Sequence, residues 1–102
     1  MVSQSLSVAV DAGRDRVTVI AIGEIDVDSV RELDRMLGGM DSPTVVIDLG
    51  GITFCDSRGL ECLIRNKIAF QENGRRLELA RCSDVMDRLL TLTQTRRFFD
   101  GD

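Results

Sequence analysis

At 102 residues the chain can bury one modest hydrophobic core and not two, so residues 1–102 are read as a single domain. Hydrophobic residues at 43% and charged residues at 29% are ordinary globular values and exclude a disordered chain. Seventeen acidic against thirteen basic side chains give a net charge of −4, and Arg75-Arg76 and Arg96-Arg97 are isolated pairs, so direct nucleic-acid binding is not expected.

Met1 to Val10 mixes serines with apolar residues and lacks the basic start and long apolar core of a signal peptide. No apolar run approaches the ~20 residues that cross a bilayer, so a cytoplasmic protein without membrane insertion is expected. Leu6, Val8 and Val10 alternate with polar neighbours, as in a half-buried strand. Asp11 to Asp15 reads as a turn, and Val17 to Ile22 as a β-branched second strand joined to the first in a hairpin. Gly23-Glu24-Ile25-Asp26 ends that strand and runs into a helix. Ser29 followed by Glu32 has the spacing of a capping box. Beyond it Val30, Leu33, Leu37 and Met40 share one face, and Arg31, Glu32, Asp34 and Arg35 the other.

Gly38-Gly39 ends the first helix, and Pro43 launches Val45-Val46-Ile47-Asp48-Leu49, an apolar run read as a strand buried on both faces and closed by Asp48-Leu49. The second helix begins after Asp56-Ser57, with Leu60, Leu63, Ile64 and Ile68 inward and Glu61, Arg65 and Asn66 outward. Gly74 stops it, and Leu77-Glu78-Leu79-Ala80 is a short strand. A third helix starts near Ser83 and buries Val85, Met86, Leu89 and Leu90. Phe98 and Phe99 are expected to cover the end of the core, with Asp100-Gly101-Asp102 frayed. The order is β-β-α-β-α-β-α: an α/β fold with a mixed, mostly parallel sheet of about four strands and three or more helices. In such sheets functional groups gather at the carboxyl ends of strands, so Asp26 and the Asp56-Ser57 pair should share one edge.

Little in the chain suits catalysis. No GxxxxGK[ST] loop or GxGxxG fingerprint follows a strand, which argues against a nucleotide-binding or hydrolysing module. There is no histidine to activate Ser57, and Lys67, the only lysine, lies ten residues along the same helix. Asp26 and Asp56 admit two readings, an acid–base pair and two helix caps, and the capping reading is preferred. Cys55, Cys62 and Cys82 form no CxxC pair; they read as buried thiols in a reducing compartment, and neither a metal site nor a cofactor is expected. The protein is therefore read as not an enzyme. Ser57, by contrast, stands where unpaired helix N–H groups and the helix dipole tolerate a phosphate.

In order and spacing, Gly23-Glu24-Ile25-Asp26, the buried strand ending Asp48-Leu49, and Asp56-Ser57-Arg58-Gly59-Leu60 after Phe54 together resemble the STAS domain. More narrowly, they resemble the stand-alone anti-sigma factor antagonists of bacterial partner-switching systems. The likeness runs from about Ser5 to Phe99. The family's regulatory serine maps to Ser57, its adjacent acid to Asp56 and its conserved-motif acid to Asp26. The resemblance implies a protein whose unphosphorylated form binds an anti-sigma factor serine kinase and frees a sigma factor, and which a serine phosphatase restores after phosphorylation at Ser57. Asp26, Asp56, Ser57, Arg58 and Gly59 then form the partner-binding surface, with Gly59 letting another surface approach the backbone. The family usually places a small residue after the serine, where this chain has Arg58. That side chain can pair with the phosphate, pair with a partner's acid, or stay solvated. It also favours the alternative, a non-catalytic STAS scaffold or subunit of a signalling or transport complex.

Overall fold

The structure, a computed structural model, describes residues 6–99. Met1 to Ser5 of the segment weighed as a signal peptide, and the tail Asp100-Gly101-Asp102, lie outside the described residues. The elements are β1 (Ser7–Ala12), β2 (Arg16–Ile25), α1 (Val30–Gly38), β3 (Thr44–Cys55), α2 (Ser57–Glu72), β4 (Arg76–Cys82), α3 (Asp84–Leu92) and α4 (Arg96–Phe99). The strands form one sheet in the order β1-β2-β3-β4. β1 is antiparallel to β2, and β3 and β4 continue the sheet in parallel. This is the α/β order expected from the sequence, with α4 as a short addition that brings Phe99 into the core edge-on to Phe98, ring centroids 5.3 Å apart.

The hairpin closes through the Gly13 N–H, which donates to the Arg16 carbonyl at 2.8 Å. In β2, Val19, Ala21 and Ile25 are fully buried while Ile22 is exposed, the alternation of a strand with one face on the core. They pack with Leu33 and Leu37 of α1, Ile47 and Leu49 of β3, Leu63 of α2, Leu77 of β4 and Met86 and Leu90 of α3. Burying each large side chain of this kind contributes about 1.5–3 kcal/mol. The alternation expected of β1 holds only in part. Leu6 is buried and Val8 half-buried, but Val10 is exposed, because β1 is an edge strand paired on one side only.

The largest departure from expectation is the length of β3. It does not close at Leu49 but runs through Gly50-Gly51 to Cys55. Bulges make this possible. Ile20 stands opposite Asp48 but Ile22 opposite Gly51, and Gly23 opposite Ile52 but Glu24 opposite Phe54, so β3 accommodates an extra residue at each shift. A Cβ on Gly51 would sit 2.9 Å from Ile22 Cγ1, so only glycine fits there without displacement. Val45, Val46 and Ile47 are buried as a two-faced strand requires, whereas Thr53 and Phe54 further along are exposed.

Helix faces differ from the expected ones as well. The buried stripe of α2 runs through Gly59, Leu63, Asn66 and Phe70, so Asn66 turns inward at 7% exposure and Ile68 outward. Lys67, also inward at 4% exposure, donates from Nζ to the Leu77 carbonyl at 2.9 Å and ties α2 to β4. On α3, Met86 and Leu90 are buried, Leu89 is half-buried, and Val85 is exposed. The Ser29–Glu32 capping box does not form. Ser29 has helical backbone angles and caps no helix N–H with its side chain, which is turned back toward β2. Ser83 does cap α3, its Oγ accepting from the Met86 N–H at 3.3 Å.

Candidate functional site: the corner where two helices begin

β2 and β3 end side by side, with Ile25 opposite Cys55. The Asp56 N–H extends the pairing by donating to the Ile25 carbonyl at 3.2 Å. The next residue after each strand is an aspartate, so Asp26 and Asp56 do share one edge. Asp56 has extended backbone angles, and its Oδ1 accepts from the Gly59 N–H at 3.0 Å, capping α2. The helix therefore begins without using the hydroxyl of Ser57, its first residue, which is exposed together with Arg58. The first turn of α2 contains no acidic side chain.

Gly59 is buried. A Cβ there would lie 2.7 Å from both Cys55 Sγ and Ile25 Cγ2, closer than such atoms approach. The surface that comes close to this backbone is thus the chain's own, and Gly59 acts on the corner by seating α2 against the ends of β2 and β3.

Asp26 organises the β2–α1 turn. Its Oδ1 accepts from the N–H groups of Asp28 and Ser29, each at 3.0 Å, and lies 3.2 Å from Ser29 Oγ. Ser29 Oγ donates to the Glu24 carbonyl at 2.8 Å and accepts from the Asp26 N–H at 3.0 Å. The Ser29 N–H, foremost among these donors, holds the Asp26 carboxyl below the usual carboxylate range, so the corner carries a fixed negative charge.

Behind the corner, α1 and α2 are joined by a polar cluster absent from the expectations. Asp34, expected on the solvent face, is half-buried and accepts from Asn66 Nδ2 at 2.8 Å. That amide also donates to the Cys62 carbonyl at 2.8 Å, and Arg65 reaches Asp34 Oδ2 at 3.3 Å. The Asn66 amide is the main reason the Asp34 carboxyl titrates below its ordinary range. Burial, reinforced by the neighbouring Asp56 charge, pushes the Cys55 thiol up to about 12. Burial and Asp34 push Cys62 up to about 11. Both remain thiols at neutral pH and offer no nucleophile.

Two surface depressions reach this corner, one at Cys55 and the other at Arg58, and Ser57 lines neither. One is an apolar groove between the end of β3 and α3, lined by Phe54, Cys55, Val85, Leu89 and Leu92, with Asp84 and Arg88 also in its lining. Phe54 is 47%, Val85 39% and Leu92 74% exposed. The other is lined by Val27, Asp28, Val30, Arg31 and Arg58. Sequence reasoning missed the groove, because Val85 fits a helical core stripe. The signal for Asn66 was present, since Gly59, Leu63, Asn66 and Phe70 follow a 4-3-4 spacing along one helix face.

The family profile described as Mlab, STAS domain matches residues 8–97. The chain belongs to the STAS domain family. No curated protein matches the sequence. Among solved structures, this STAS domain is similar to an anti-sigma factor antagonist from Mycobacterium paratuberculosis. The TM-score is 0.78 and the identity 25%, over 93% of this chain and 83% of that one. It is also similar to the Bacillus anti-sigma factor antagonist SpoIIAA in its unphosphorylated form, at TM-score 0.73 and 15% identity over 86% of this chain and 81% of that one. A third likeness is to the murine Solute Carrier 26 family member A9 anion transporter, at TM-score 0.70 and 14% identity; it takes in 96% of this chain but 19% of that one. The last two share the STAS fold with this domain. No helix among the described residues is long and apolar enough to cross a membrane.

Proposed function

We propose that this STAS domain is an anti-sigma factor antagonist of a partner-switching pathway. Unphosphorylated, it binds an anti-sigma factor serine kinase and thereby frees a sigma factor. The kinase transfers the γ-phosphoryl group of ATP to Ser57 Oγ, releasing ADP and the hydroxyl proton, and the modified form dissociates. A serine phosphatase hydrolyses the phosphoester and returns the active form. The domain is a substrate and a competitor in the cytoplasm, not a catalyst, and needs no cofactor of its own.

The observation that carries this reading is the division of labour at the start of α2. Asp56 caps the helix, leaving the adjacent Ser57 hydroxyl exposed and without a structural duty. A phosphate adds about −1.5 to −2 charges at a helix N-terminus, where the dipole tolerates it, so the fold survives the modification. A closely packed partner surface does not tolerate it, because a desolvated phosphate beside Asp56 is costly. The apolar groove of Phe54, Val85 and Leu92 reaches the same corner through Cys55 and supplies contact area for the kinase. The likeness to the mycobacterial antagonist supports the same reading.

The test is incubation of the domain with the anti-sigma kinase encoded nearest to it and ATP, followed by mass mapping. Phosphate on Ser57 and release of the complex are expected; a stable complex without phosphotransfer refutes the switch. That second outcome fits the alternative, a STAS scaffold or subunit of a signalling or transport complex, which Arg58 in place of a small residue favours.

A further inference from the structure

Arg58 is the second residue of α2 and Arg31 the second residue of α1, so each places a cation in a first turn, against the helix dipole. The two arginines are remote in sequence yet line one depression. Among the described residues neither guanidinium forms an ion pair, a state they share with Arg14, Arg16, Arg35, Arg75, Arg88 and Arg97. What sets these two apart is that they face one depression from two helix starts. Both cations are unfavourably placed, and the one acid lining their depression, Asp28, forms an ion pair with neither, so a further anion between them is favoured. Ser57 immediately precedes one of them.

We propose that Arg31 and Arg58 form an anion clamp that captures the phosphoryl group on Ser57. The proposal rests on the reading of Ser57 as the modified residue and adds to it how the modified state is held. A guanidinium matches phosphate oxygens with paired N–H donors, which a small residue at position 58 lacks. Captured in this way, the phosphate bridges the starts of α1 and α2 and draws both arginines away from solvent. The off-state then differs from the on-state by a covered cationic depression as well as by added charge. A single carboxylate at position 57 is shorter and less charged, and reproduces this state incompletely. Three acids stand nearby, Asp26 and Asp56 at the corner and Asp28 in the depression itself. They oppose the clamp equally in every variant that keeps them.

The test uses the full chain with phosphoserine installed at position 57 during synthesis, so that no kinase is needed. The phosphate is titrated by phosphorus NMR in the parent, in Arg58→Ala and in Arg31→Ala. A free phosphoserine loses its second proton near pH 6. Capture by the clamp places the parent's midpoint below that of either variant by about half a unit, and raising the salt concentration narrows the gap. Both substitutions are at exposed side chains, and thermal melts verify that the variants fold. Midpoints that coincide in all three proteins overturn the clamp, whatever any kinase does. A lowered midpoint in a chain whose Ser57 no anti-sigma kinase modifies supports the clamp and sinks the switch reading instead.

Discussion

The Asp56 N–H donates to the Ile25 carbonyl at 3.2 Å, so the residue that caps α2 is fastened to the last residue of β2. One backbone bond thereby couples the two corners at which Asp26 and Ser57 sit. Neither aspartate lies on a free loop. Asp26 is held by the N–H groups of Asp28 and Ser29, and Asp56 by that of Gly59. A partner that reads this edge meets a preformed surface, which lowers the ordering cost of binding.

Ser57→Ala removes the hydroxyl without adding charge and should leave a protein that binds the anti-sigma kinase persistently. Ser57→Asp adds a charge beside Asp56 and should weaken binding by about a hundredfold, because one misplaced interfacial charge costs several kcal/mol. Both variants should melt at similar temperatures, since α2 is capped by Asp56. Calorimetric titration together with thermal melts decides the matter. Equal affinities would mean that Ser57 is not a charge switch.

Asp26→Ala should weaken kinase binding or phosphorylation more than it weakens the fold. Its loss frees two turn N–H groups, those of Asp28 and Ser29, at a surface where water can replace the acceptor, so the fold is expected to survive. Denaturant unfolding and a binding titration on the same preparation separate the two effects. Normal binding by the variant would assign Asp26 a purely structural role.

Gly59→Ala should destabilise the domain by about 1–3 kcal/mol, because the new methyl group meets Cys55 Sγ and Ile25 Cγ2 at 2.7 Å. Cys55→Ala in the same chain should recover part of the loss by making room. Urea unfolding of the single and double variants measures both quantities. A neutral Gly59→Ala would show that α2 can shift away from the sheet at no cost.

Asp34→Ala should cost about 1 kcal/mol through loss of the Asn66 hydrogen bond. The Asp34 carboxyl titrates lower in the folded protein than in the unfolded chain, so its contribution is complete above the ordinary carboxylate value of about 3.9. It fades as the pH falls through the folded value. The difference in melting temperature between parent and variant should therefore narrow from about pH 6 to about pH 3. A constant difference would mean that packing, not charge, carries the Asp34 effect.

Cys55 and Cys62 should resist alkylation at about pH 8 in the native protein and react quickly once it is unfolded, because burial holds both far above the ordinary thiol value of about 8.5. Mass spectrometry after a timed iodoacetamide pulse reads this directly. Rapid native labelling of Cys55 would show that the corner opens.

The parts of this protein that were legible in its sequence are those set by neighbours along the chain. The element order follows from periodicity, the hairpin from a short polar turn, and the Asp56 cap on α2 and the Ser83 cap on α3 from side chains that reach N–H groups three residues ahead. The shared edge of Asp26 and Asp56 also followed, because parallel strands joined by helices must end on the same side. Contacts between distant segments were decided only by the tertiary structure. β3 runs past Gly50-Gly51 because bulges fit it against β2, whereas the local sequence reads as a turn. Ser29 abandons the expected capping box because the Glu24 carbonyl lies within reach of its hydroxyl. Asn66 and Lys67 are buried because Asp34 and the Leu77 carbonyl, remote in sequence, satisfy their polar atoms. The depression shared by Arg31 and Arg58 arises in the same way, from two helix starts that only the packed sheet brings together. Local hydrogen bonds and periodicity can be written into adjacent residues; burial of a polar group depends on a partner that folding must first bring near.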